Sequence, residues 1–226
     1  MTKRLWYGCF LAAAVAACAT RPQPGPPLPP LPPAPSAEPS SVAALAAAIE
    51  ADAKRGDHEP DSKIRDELAA AASRDADACL SREPEAAACL YGRAVAFGLD
   101  ARAHPTRAGE LLDKMLESLA RAESADPNYD EAGPARVRAL VLIRAPGWPL
   151  GPGDAEAGLV AARRSVALRP LYPPNLLALA EAMAKIGDTS GARENYARAH
   201  EAALALTAAP DRNEWLLEAE KGLQRQ

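Results

Sequence analysis

Aromatic residues are scarce in this chain: two Phe, five Tyr and three Trp in 226 residues. Without large rings a core must be filled by the close approach of small side chains, so alanine and leucine have to carry the packing. Histidine is scarcer still, at three. His58, His104 and His200 stand in an acidic turn, before a proline and late in a helical stretch. None is at ligand spacing from another, whereas a zinc site needs about four clustered ligands. The nearest approach to a metal cluster, GDHEPD at Gly56 to Asp61, reads as a solvated turn whose Asp61 caps the next helix. No GxSxG, HExxH or P-loop pattern occurs, so no motif points to an enzyme and no cofactor or metal is expected. Basic charge is not in excess either. The net charge is −4, and without Lys3 and Arg4 there remain 24 basic against 30 acidic residues, which argues against nucleic acid as a partner.

A long apolar run is also missing. Lys3 and Arg4 precede an apolar stretch from Leu5 to Ala17 that ends in small residues, the pattern of an export signal, and it is shorter than the roughly 20 residues needed to span a bilayer. Its last residues, Val15-Ala16-Ala17-Cys18, resemble the lipobox of bacterial lipoproteins. That resemblance implies cleavage before Cys18, acylation of Cys18 and attachment to a membrane facing the periplasm, with Ala19 in the position that fits outer-membrane sorting. From Arg21 to Ser40 follow ten of the 22 prolines with no apolar period. Such a tract favours polyproline II at about 3.1 Å per residue, a tether reaching roughly 60 Å. The expected domains are therefore a signal peptide over 1–17, a lipidated cysteine and proline-rich tether over 18–40, and a helical domain over 41–226.

The periodicity of the helical domain is clearest in NLLALAEAMAKIGDTSGARENYARAHEAA. Leu176, Leu179, Ala180, Met183, Ala192, Tyr196 and Ala199 fall at the steps of the tetratricopeptide repeat, with Gly187 ending one helix and Asp188 capping the next. The same grid fits Ala88, Tyr91, Gly92, Val95, Met115, Leu119, Ala122 and Pro127. It fits again at Ala135, Arg138, Ala139, Leu142, Gly158, Ala162, Ser165 and Pro170, and more faintly at Val42, Leu45, Ala46, Ile49, Ala72, Ala76, Cys79 and Pro84. The reading is an all-α, tetratricopeptide-like solenoid of about four helical hairpins. A C-terminal helix closes it, with Asp211 and Glu214 at capping-box spacing and Trp215, Leu216, Ala219 and Leu223 on one face.

Three of the hairpins are longer than the grid requires. Eleven extra residues lie between Val95 and Met115, seven between Leu142 and Gly158, and fourteen between Ile49 and Ala72. All fall at the turn inside a repeat, so they are expected to form enlarged loops crowded on one edge. In APGWPLGPGD, Pro146, Pro149 and Pro152 stiffen the loop, Gly147, Gly151 and Gly153 allow tight turns, and Asp154 caps the following helix. Trp148 has two uses open to it: packing onto the neighbouring insertion at His104 to Thr106, or standing exposed as an anchor for a partner. On the concave side the grid points Arg93, Arg136, Glu181 and Lys185 inward as candidate partner-binding residues, the alternative being ordinary solvated charges.

Cys79 and Cys89 flank the turn between the first two hairpins. Outside the cytoplasm they are expected to form a disulfide worth about 2–3 kcal/mol by loop closure, the other reading being two small buried thiols.

DPNYDEAGPARVRAL at Asp126 to Leu140 and APGWPLGPGDAEAG at Ala145 to Gly158, together with the lipobox, resemble the tetratricopeptide lipoproteins that include the T component of TRAP transporters. The match covers roughly Cys79 to Ala203. The resemblance implies a non-enzymatic, membrane-anchored periplasmic protein that assembles with a solute-binding protein. A scaffold for envelope assembly and a carrier of a small apolar ligand are the alternatives.

Overall fold

The computed structural model describes residues 41–225. The expectations for the signal peptide, Cys18 and the tether lie outside the described residues. Nine α-helices and one 3-10 turn, Pro105–Arg107, make up the described chain, with no strand among these residues. The helices are α1 (Val42–Asp57), α2 (Ser62–Arg82), α3 (Ala87–Ala103), α4 (Ala108–Ala125), α5 (Tyr129–Arg144), α6 (Ala155–Leu168), α7 (Pro173–Lys185), α8 (Thr189–Ala205) and α9 (Arg212–Arg225). They pair as α1/α2, α3/α4, α5/α6 and α7/α8, and α9 packs on α7 and α8. This is the tetratricopeptide-like solenoid that the periodicity predicts.

Proline sets where three of the second helices stop. α2, α4 and α6 each end two residues before Pro84, Pro127 and Pro170. The residue between, Glu83, Asp126 or Arg169, sits at φ −137°, −152° or −138°, because a following proline ring crowds helical backbone. Asp61, Asp154 and Asp188 cap α2, α6 and α8 by accepting the amides of Lys63, Ala157 and Gly191 at 2.8, 2.9 and 2.9 Å. Gly187 takes φ +87°, a left-handed turn that side-chain-bearing residues resist.

Many of the grid positions form the core. Ala72, Ala76, Cys79, Leu119, Ala122, Ala162, Ser165, Ala192 and Ala199 are fully buried. Gly92 is where α1 crosses α3: a Cβ there would lie 2.8 Å from Ile49 Cδ1. Arg138 is an exception, exposed on α5 although the grid gives it a packing position.

The insertions do not all become loops. The fourteen- and eleven-residue insertions are helix: α2 runs 21 residues, and α3 and α4 run 17 and 18, against 13 for α7. The inserted KIRDELAAA contains good helix formers and no proline, and in the other insertion Pro105 falls at the turn between α3 and α4 rather than inside either helix, so the extra turns cost little. Only Ala145 to Asp154, with three prolines and three glycines, is irregular throughout.

Candidate functional site

First helices line the inner side of the stack. α1 packs on α3 and α5 on α7, but α3 and α5 barely touch. Between them opens a groove of about 690 Å³ floored by Ile49, Val95, Leu112, Met115, Val137 and Val141 from α1, α3, α4 and α5. The charges at its rim are all paired. Arg102 binds Asp57, Lys54 reaches Glu50 at 3.5 Å and Asp211 at 3.3 Å, and Arg144 grips Glu181 with two bonds of 2.8 and 2.6 Å. The free surface of the groove is therefore apolar.

Tyr91 and Tyr129 meet edge to face at one end, with ring centroids 5.4 Å apart. The Tyr91 hydroxyl donates to Asp130 Oδ2 at 3.0 Å. Burial foremost, then the Asp130 charge, pushes this phenol far above its ordinary pKa, so it acts only as a neutral donor. The chain around Asp130 is unusual. Asp130, Glu131 and Ala132 all take left-handed φ, at 48°, 53° and 65°, a conformation that costs roughly 1–2 kcal/mol per residue. Arg136 holds this turn. Its Nη1 donates to the carbonyls of Asp130 and Glu131 at 3.2 and 3.3 Å and to Asn175 Oδ1 at 3.1 Å. Its Nη2 meets Asp130 Oδ2 at 2.6 Å. Asn175, fully buried on α7, donates to the Glu131 carbonyl at 3.0 Å, and Arg169 Nε reaches Glu131 Oε2 at 2.9 Å.

The expectation for the four charged residues of the inner face changes accordingly. Arg136 does point inward, but it is buried in this network and stacks 5.3 Å over Tyr172, so it secures the fold rather than offering a free charge. Arg93 does not face the groove: it pairs with Asp77 of α2 and lies over Phe97. Glu181 and Lys185 line a recess at the α7 end, where Glu181 is held by Arg144.

A second chamber of about 400 Å³ continues the groove past Lys54, Asp57, Leu140 and Arg144, which line both spaces. Its far wall is α9, with Asp211, Glu214, Trp215 and Glu218. Trp215 packs against Tyr172 at 5.7 Å, edge to face. The Asp211 carboxylate does not form the expected capping box. It bonds Lys54, and the amide of Glu214 goes instead to the Asp211 carbonyl at 3.1 Å. Hydrogen bonding to Asp211 holds the Lys54 ammonium above its usual range. Burial raises the Glu218 carboxyl. Sequence reasoning missed Tyr91, Asp130, Asn175 and Glu218 as features of the site. The only available signal for α9 was that Glu214 and Glu218 are four apart and so share a face.

The loop Ala145 to Asp154 stands at the rim. Gly153 N donates to Pro146 O at 2.9 Å, Leu150 N to Gly147 O at 3.1 Å, and Asp154 N to Leu142 O at 2.9 Å. These bonds make a fixed loop, with a cis bond between Trp148 and Pro149. Trp148 does not pack on His104 to Thr106: it is 91 % exposed, and Leu150 is 77 % exposed. What approaches the neighbouring hairpin is backbone, since a Cβ on Gly109 would lie 3.3 Å from the Leu150 carbonyl. Pro146 and Pro149 thus frame an outward-facing tryptophan.

Cys79 and Cys89 form a disulfide from the end of α2 to the start of α3, both fully buried. The histidines serve local contacts: His58 ends α1, His104 Nδ1 lies 2.7 Å from Asp100, and His200 pairs with Glu220 at 3.5 Å. Among the described residues no three His, Cys, Asp or Glu side chains come together as a metal site.

No protein-family profile matches this chain, and no curated protein does. A solved structure is similar to it: a thermophilic TPR protein of Thermus thermophilus, at 20 % identity and a TM-score of 0.52, covering 81 % of this chain and 91 % of that one. At that identity the likeness is one of fold, and the fold is that of a tetratricopeptide-like helical solenoid.

Proposed function

We propose that this chain is a non-enzymatic scaffold that receives a segment of a partner protein in its concave groove, with the Trp148 loop as a second contact at the rim. The carrying observation is the groove itself, apolar at its floor and with every rim charge paired inside the chain. Burying such a surface against a partner is favourable at about 25 cal/mol per Å² and leaves no charge stranded. The lipobox ending in Cys18 supports attachment to a bacterial membrane on the periplasmic side, the outer one by its Ala19. The resemblance of DPNYDEAGPARVRAL and the Trp148 loop to TRAP T components supports a solute-binding protein as the partner.

A photo-crosslinking side chain at Val137 in the groove, with Val160 on the exposed side of α6 as control, tests the reading in the cells that make the protein. A defined protein adduct is expected from Val137 alone, containing a solute-binding protein if the TRAP assignment holds. Equal adducts from both positions would end the groove reading. The apolar volume also suits a small apolar ligand, and native mass spectrometry showing a retained small molecule displaced by Val137→Trp would favour that carrier. Cys18→Ser should move the protein from the membrane to the soluble periplasm, and retention in the membrane fraction would refute the anchor.

A further inference from the structure

Charge in the two connected spaces is unevenly balanced. Along the first, Asp57 is paired with Arg102, Glu50 with Lys54 and Asp130 with Arg136. In the second, the three strong cations on the wall are already taken: Lys54 by Asp211, Arg136 by Asp130 and Arg144 by Glu181. Asp211 is answered by Lys54. What remains is Glu214 and Glu218, one turn apart on α9, whose side chains form no hydrogen bond or ion pair among the described residues, Glu218 meeting the charges of Arg144 and Arg225 only at longer range. Glu218 is half-buried beside the chamber, where a carboxylate without a partner is costly. The indole of Trp215 lines the same wall beside them, and an aromatic ring with carboxylates nearby is a favourable setting for a cation.

We infer that the partner segment is apolar along α1, α3 and α5 and carries a lysine or arginine where it reaches Glu214 and Glu218 of α9. This rests on the groove reading above and specifies the chemistry of its occupant. An acidic segment would bring like charge against two uncompensated carboxylates, and a wholly apolar one would bury Glu218 more deeply without answering it. A cation at that end satisfies both carboxylates, and the paired residues along the first space need no countercharge from the partner.

Panning a random twelve-residue display library against the purified full chain tests this, with synthetic fluorescent copies of the recovered peptides measured by anisotropy. The expected sequences combine apolar residues with at least one Lys or Arg. Their binding should weaken about tenfold or more in the Glu214→Gln/Glu218→Gln variant and be lost in Val95→Trp, which fills the groove, with helicity unchanged in both. Peptides that depend on Val95 but are neutral or acidic, or that bind the double Gln variant as before, would overturn the basic-end proposal and leave the groove reading standing. Recovery of no peptide that depends on Val95 would overturn both.

Discussion

Lys54, near the end of α1, and Asp211, at the start of α9, meet at 3.3 Å although 157 residues separate them. The first and last helices of the solenoid are thereby tied across the mouth of the concave face, at the point where the apolar groove passes into the acidic chamber. Both side chains are well exposed, at 57 % and 38 %, so the tie is a light one. A double-mutant cycle of Lys54→Ala and Asp211→Ala should give a coupling of about 0.2–1 kcal/mol at low salt that fades toward 1 M salt. A coupling that survives high salt undiminished would contradict this account.

The left-handed turn at Asp130 to Ala132 should accept glycine. Ala132→Gly relieves the steric cost at φ 65° but adds unfolded-state entropy and gives up a fully buried methyl, so it should be tolerated within about 1 kcal/mol in urea melts, unlike a glycine inside a regular helix. Asn175→Ala should destabilise by about 2–4 kcal/mol, since it strips partners from the buried Arg136 and from the Glu131 carbonyl. Stability unchanged by Asn175→Ala would mean the turn is not held as described.

Glu218 should make stability fall as pH rises. Burial raises its folded-state pKa above the ordinary value of 4.5, so the unfolded chain releases this proton first. The penalty grows between 4.5 and the raised value and is complete above the latter. Glu218→Gln is expected to be more stable than the parent at pH 7 and to lose that advantage at about pH 4. An equal advantage at both pH values would assign the effect to something other than ionisation.

Trp148→Ser should leave the melting temperature almost unchanged, within about 0.5 kcal/mol in stability, because the side chain is 91 % exposed. Crosslinking of the partner in the groove should nonetheless decrease if the rim contributes a contact. Full partner capture by the variant would remove the rim from the interface.

Reduction of Cys79–Cys89 should cost about 2–3 kcal/mol through lost loop closure, and Cys79→Ser with Cys89→Ser should cost more, because it also places two hydroxyls in a fully buried site. Equal stability of oxidised and reduced protein would contradict it.

Residues acting on their near neighbours were legible in the chain alone. Pro84, Pro127 and Pro170 stop helices through a clash with the residue just before them, Asp61, Asp154 and Asp188 cap through amides two or three residues on, and the alanine and leucine period marks the buried face. Those effects span a turn or two of backbone, so a single sequence carries them in full. Whether the inserted residues before Ala72 and Met115 extend helices or form loops was less legible, because a count of excess residues is silent on their conformation, and here helix propensity decided it. The site depended on tertiary structure throughout. Asp211 could cap α9 or bind a distant cation, and the curvature accumulated over four hairpins brought Lys54 within its reach. The grid points both Arg93 and Arg136 inward, one helical turn apart in register, yet one turns to Asp77 and the other into the strained turn at Asp130. Glu214 and Glu218 were left without an ion pair because Lys54, Arg136 and Arg144, the strong cations of the chamber wall, had each found another carboxylate. Ion pairing is a competition among all charges that the fold brings together, and the winners depend on distances that no local rule contains.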